Sequence, residues 1–148
     1  MSTRRPSRLP RWQEWAVYVG LGLLVVSGIG WLVLDQSVRV IGEFGSEHHP
    51  AERWALIMHG ISAYFFLIVA GAMIPVHVQL GWRIGRNRSS GMIMASSCIL
   101  LALTALGLYY FGDEVARHWT SVIHWGVGLA VGPMLAIHSI NGRRGRYN

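Results

Sequence analysis

Four long runs along this chain contain no Asp, Glu, Lys or Arg, and short polar stretches separate them. They extend from Trp15 to Leu34, Trp54 to Leu80, Met92 to Phe111 and Trp119 to Ile140. A helix needs about 20 mostly apolar residues to cross the hydrocarbon core of a bilayer, and each run is long enough. In hydrocarbon the backbone must satisfy its own hydrogen bonds, which predicts a helix for each run. The pattern therefore predicts an all-α fold: an integral membrane four-helix bundle forming a single transmembrane domain over residues 1–148, with lipid as its surroundings.

Composition sharpens this picture. Apolar residues make up 52% of the chain and charged residues 14%, against about a quarter charged in an average soluble domain. The four runs leave no room within the chain for a soluble catalytic domain. Arg4, Arg5, Arg8 and Arg11 precede the first run in the manner of a signal peptide. That run exceeds a typical signal core, and no small-residue cleavage pattern separates Leu34 from Asp35 and Gln36, so a retained helix is expected. The single cysteine, Cys98, has no partner for a disulfide and cannot form a two-cysteine covalent haem attachment; it reads as a packing residue.

Charge then orients the helices. All 13 basic residues are arginine. Arg4, Arg5, Arg8 and Arg11, then Arg83, Arg86 and Arg88, then Arg143, Arg144 and Arg146 fall in three segments that share one side of a four-helix topology. The other side carries Arg39, Arg53 and Arg117 with the acids Asp35, Glu43, Glu47, Glu52, Asp113 and Glu114. Arginine-rich short loops stay in the cytoplasm, so both termini are expected there. The net charge of +6 thus reads as a topology signal with no nucleic-acid partner, and anionic headgroups or cofactor carboxylates are the expected counter-ions. The second and fourth helices then run in the same direction.

Four of the seven histidines lie within the runs: His59 and His77 in the second, His124 and His138 in the fourth. An ionisable side chain at membrane depth is costly and points to function, although a lone histidine often serves only as an interhelical hydrogen-bond partner. Spacing separates the two cases. His59 and His77 are 18 residues apart, five α-helical turns and about 27 Å. His124 and His138 are 14 residues apart, about 21 Å and roughly 40° out of register. In parallel helices this pairs His59 with His124 near the outer surface and His77 with His138 near the inner one. The two separations differ by about 6 Å, which helix tilt and kinks at Pro75 and Pro133 would partly absorb.

Two imidazoles per layer select the cofactor. Zinc takes about three or four protein ligands, whereas haem iron keeps four porphyrin nitrogens and needs two axial groups. Two non-covalent b-type haems fit this count. Gly60, Ala63, Ala70, Gly71 and Ala72 in the second run, with Gly126, Gly128, Ala130 and Gly132 in the fourth, would admit a flat macrocycle or equally allow tight helix packing. The other ring nitrogen of each ligand needs an acceptor, for which Ser62, Thr120 and Ser121 stand within a turn. His48, His49 and His118 read as surface histidines, with His118 the substitute for His124. The tryptophans Trp12, Trp15, Trp31, Trp54, Trp82, Trp119 and Trp125 lie mostly at run ends, as interfacial anchors do.

The segments HGISAYFFLIVAGAMIPVHVQLGWRIGRNRSSG (His59 to Gly91) and HWTSVIHWGVGLAVGPMLAIHSINGRR (His118 to Arg144) resemble the small four-helix b-type cytochromes of bacterial respiratory membranes. More distantly, they resemble the cytochrome b subunits of formate dehydrogenases and nickel-iron hydrogenases. The resemblance covers roughly residues 54–144. It implies that His59, His77, His124 and His138 are axial haem ligands in a multi-pass electron conduit of the bacterial inner membrane. Those subunits commonly take one ligand from the first helix, where this chain has no histidine.

The function expected is transmembrane electron transfer within a larger redox complex, between a periplasmic cytochrome or oxidoreductase and the quinone pool or another membrane partner. Bis-histidine iron has no open position, so enzymatic chemistry at the metal is not expected. A quinone would need a pocket near Glu47, His48 and Glu52 or near Arg83 and Arg143. Arg83, Arg86, Arg143 and Arg144 are candidates to pair with haem propionates. The alternative is a haem-free anchor or assembly subunit in which the histidines are interhelical glue. A transporter is the weakest reading, since no run contains Asp, Glu, Lys or Arg to relay charge.

Overall fold

The computed structural model describes residues 9–43, 45–85 and 87–144, residues 143 and 144 by backbone alone. Arg4, Arg5, Arg8, Arg86 and Arg146 lie outside the described residues, as do the side chains of Arg143 and Arg144. The chain is all-α apart from one small hairpin. In order, it forms α1 (Arg11–Ser37), strands β1 (Arg39–Gly42) and β2 (Gly45–His48), then α2 (Ala51–Met73). A π-helical segment (Ile74–Val78) leads into α3 (Gln79–Ile84), and α4 (Arg88–Tyr110) and α5 (Glu114–Arg144) complete it. Counting α2 through α3 as one span, four helices are long and apolar enough to cross a membrane. The protein is a multi-pass membrane protein by that measure. Every helix outlasts the apolar run that predicted it at one end or both, because hydropathy marks the lipid-embedded portion and capping sets the ends.

The caps are local. Pro10 precedes α1 and Pro50 precedes α2, at helix starts where a missing N–H leaves no bond unmade. Asp113 Oδ1 accepts from the Ala116 N–H at 2.7 Å, which caps α5. Gly85, with φ of 78°, ends α3, and Asn87, with φ of 55°, starts α4. Both left-handed residues belong to types that tolerate this region. The Arg88 guanidinium donates to Trp82 O at 3.0 and 2.6 Å and lies over the Trp82 ring, tying α4 to the end of α3.

Two compact units divide the chain, the first running to His77 and the second starting at Val78. In the first, α1 packs on α2. Its buried positions on α1 are Gln13, Val17 and Gly20; Leu24, Ser27 and Trp31 continue the same stripe. These residues recur every three or four positions, the spacing of one helical face. A Cβ at Gly20 would lie 3.3 Å from the rings of Phe65 and Phe66, so glycine lets α2 approach closely there. Between α1 and α2 the two strands pair antiparallel, Arg39 opposite His48 and Gly42 opposite Gly45, a hairpin the hydropathy pattern did not predict. It extends only four residues per strand.

The second unit packs α4 on α5. Ser97, Thr104 and Gly107 are buried on α4, and Val131 on α5. In both units most large apolar side chains face outward, among them Val26, Ile68, Leu103 and Ile137. Polar Gln13, Ser62, Ser97 and Thr104 are buried instead. Lipid solvates apolar side chains as well as a protein core does, so small and hydroxyl residues are free to line the helix contacts.

Candidate functional site

All four membrane-depth histidines are half-buried, while their sequence neighbours Met58, Ile123 and Ile137 are exposed. Each ring is therefore turned away from the outward face of its helix. Their surroundings were only partly legible in the sequence.

In the first unit, His59 Nδ1 lies 3.1 Å from Leu24 O and 3.1 Å from Ser27 Oγ, both on α1. A carbonyl can only accept, so Nδ1 carries the proton. The Ser27 hydroxyl has one hydrogen, which goes to Leu23 O at 2.6 Å, leaving its oxygen to accept as well. Gly28 makes room for this ring: a Cβ there would lie 3.2 Å from His59 Cε1 and 3.3 Å from Nδ1.

The second unit repeats the device. Thr104 Oγ1 lies 2.8 Å from Leu100 O and 2.8 Å from His124 Nδ1. Ser90 Oγ lies 2.6 Å from Asn87 Oδ1 and 3.0 Å from His138 Nδ1. The Asn87 amide nitrogen, 3.3 Å from the same ring nitrogen, donates over the shorter distance of 2.9 Å to His138 O. Three histidines thus present Nδ1 to an oxygen of the neighbouring helix, and for His59 the Leu24 carbonyl places the proton on that nitrogen.

The register behind this is simple. Ser90 and Thr104 are 14 residues apart on α4, and His138 and His124 are 14 apart on α5. Four helical turns fall close to 14 residues, so antiparallel helices bring both pairs into contact at once. Ser97, midway, has its hydroxyl 2.9 Å from Ile93 O and 3.6 Å from Met134 Sδ.

Two of the acceptors expected within a turn of the histidines, Ser62 and Thr120, serve their own helices. Ser62 donates to Met58 O and Thr120 to Ala116 O, each at 2.7 Å. Ring acceptors come instead from α1 and α4, helices without histidine, which no local pattern around the histidines could reveal. His77 lies inside the π-helical segment. The expected kink at Pro75 takes this form: proline has no N–H to donate to Gly71 O, and the N–H of Ile74 bonds to Gly71 O instead. The wider π turn underwinds the helix, so the five-turn relation between His59 and His77 does not continue past Met73.

A haem group can be tested against these residues. A Cβ at Gly60, Gly71, Gly126 or Gly132 would meet no described atom within 4 Å, so within each unit these glycines are not close-packing sites. The buried Trp31 indole N–H has no acceptor among the described residues. It lies on the α1 face of Leu24 and Ser27, about one turn beyond Ser27. An unpaired donor at such depth is costly, and a bound group bearing a carboxylate would satisfy it. The histidine donor set fits an iron that needs two axial nitrogens, and the open space at these glycines has room for a macrocycle or for lipid.

The other histidines have separate roles. His48 Nδ1 lies 2.7 Å from Glu52 Oε2, 3.8 Å from Asp35 Oδ1 and 2.8 Å from an Arg39 guanidinium nitrogen. Asp35, His48 and Glu52 bring ligand-type atoms close enough for a metal. With Arg39 already supplying the positive charge, the cluster reads as a charged cap joining the hairpin to the adjacent helix ends. His49 Nδ1 accepts from the Ala51 N–H at 3.1 Å, and His118 packs edge-on against Trp119. Cys98 is a free thiol on α4.

Comparison with family models, curated proteins and solved structures finds no match to this chain.

Proposed function

We propose that this protein is a two-haem membrane cytochrome of the b type that carries electrons across a bilayer, with His59, His77, His124 and His138 as axial ligands, two to each haem. The observation that carries this reading is that three of them turn the same ring nitrogen, Nδ1, to an oxygen of the neighbouring helix. Acceptors on the neighbouring helix hold His59, His124 and His138 through Nδ1, an arrangement that orients an imidazole to ligate through Nε2.

A bound haem would supply a one-electron iron couple. The chain's own residues would fix the ligand rings, exclude water with the apolar helices and leave space at glycine. On the arginine distribution, the termini lie in the cytoplasm of a bacterium and the hairpin in the periplasm. The electron partners are then a periplasmic redox protein on one side and the quinone pool or another membrane subunit on the other.

The test is a visible spectrum of the purified protein. Reduced protein is expected to show b-type α and Soret bands with about two haems per chain, as two bis-histidine sites require. His59→Ala and His124→Ala are each expected to lower that content. A colourless, iron-free preparation would instead make the chain a haem-free anchor whose histidines join helices.

A further inference from the structure

The hydroxyls that meet the histidines belong to α1 and α4, and each is fixed on a second acceptor. Ser27 is held on Leu23 O, Thr104 on Leu100 O and Ser90 on Asn87 Oδ1. A hydroxyl whose hydrogen goes to that second acceptor receives the Nδ1 proton of the ring. We propose that Thr104, Ser90 and Ser27 are positioning residues that set the electron-donating strength of His124, His138 and His59, so that α1 and α4 determine the redox potentials of centres ligated from other helices. The proposal rests on the haem reading and adds to it the residues that tune each site.

The physical basis is polarisation. An imidazole whose Nδ1–H is accepted by oxygen gains anionic character, becomes a stronger donor through Nε2 and favours the oxidised metal. Removing the acceptor should raise the potential. The three sites are not equivalent. His59 has a backbone carbonyl as well as a hydroxyl, and the carbonyl survives any change at position 27. Thr104 approaches its ring to 2.8 Å, nearer than Ser90 at 3.0 Å. The expected order of effect is Thr104, then Ser90, then Ser27.

The experiment is a spectroelectrochemical titration of the whole protein in detergent, with low-spin haem electron paramagnetic resonance as a second readout. Wild type is compared with Thr104→Val, Thr104→Ser, Ser90→Ala and Ser27→Ala. Thr104→Val is expected to raise one of the two potentials by up to about tenfold in the reduction equilibrium, ~59 mV for a one-electron couple, and to shift that haem's signal. Thr104→Ser keeps the hydroxyl and should restore both. Ser27→Ala should move its haem least. If Thr104→Val loses a haem that Thr104→Ser retains at the wild-type potential, the hydroxyl is again shown to be the working group.

Unchanged potentials in a fully loaded Thr104→Val protein would overturn the proposal while leaving the haem reading intact. So would equal effects of the Val and Ser variants, which would point to packing alone. A colourless wild type would remove both.

Discussion

Gly28 shows how closely single residues are matched around His59. An added methyl would stand 3.2 Å from the imidazole, tighter than ordinary contact, and the ring is already held on two oxygens of α1. Gly28→Ala is expected to displace His59 and lower haem content, with a destabilisation of about 1–3 kcal/mol typical of overpacking. Gly30, on the opposite side of α1, has open space around it, so Gly30→Ala should match wild type. Haem-to-protein ratio and thermal unfolding in detergent measure both, and equal behaviour of the two variants would refute this account of Gly28. Asn87 is constrained in a similar way. Its left-handed backbone turns the chain into α4 while its side chain holds both Ser90 and the His138 carbonyl.

At the scale of elements, the π-helical segment is the feature with most consequence. Pro75 cannot make the α-helical bond to Gly71 O, and the turn it opens contains His77. Pro75→Ala removes the reason for the wide turn and should let α-helix continue from α2 into α3, rotating His77 relative to His59. The expected result is loss or altered spectral shape of one haem, with the other unchanged. Unaltered absorbance and paramagnetic spectra in Pro75→Ala would mean that the π turn has no part in placing His77. The α4 and α5 pair has a different origin. There the 14-residue spacing of Ser90 and Thr104 matches that of His138 and His124, and sliding either helix by one turn would break both contacts together. Each such bond is worth about 0.6 kcal/mol in a membrane protein, enough in combination with packing to favour one register.

For the whole molecule, the prediction concerns orientation. Arginine crowds the two termini and the turn between α3 and α4, whereas Asp35 and Glu52 lie in the terminal turns of α1 and α2, Glu47 in β2 and Asp113 just before α5. A fluorescent protein fused after Asn148 should fluoresce in bacterial cells, and alkaline phosphatase fused there should stay inactive, as the positive-inside rule requires. The reverse pattern would place the hairpin in the cytoplasm and invert the proposed path for electrons. Outward-facing Val26, Ile68, Leu103 and Ile137 belong to the same logic, since lipid covers what water could not.

Length and apolarity were enough to read four membrane helices and an all-α class directly from the residues, because hydrocarbon leaves the backbone few other choices. The four buried-depth histidines were equally legible, their cost in lipid making them conspicuous. Tertiary structure decided what holds them. Ser27 and Thr104 look like ordinary small residues in apolar runs and Ser90 like part of a polar turn, and only the pairing of α1 with α2 and of α4 with α5 brings their oxygens to the rings. The β hairpin and the π turn also needed coordinates, since one depends on cross-strand register and the other on how a helix accommodates a proline. Composition acts through solvent and can be read one residue at a time, whereas a hydrogen bond between distant positions exists only once the chain has folded.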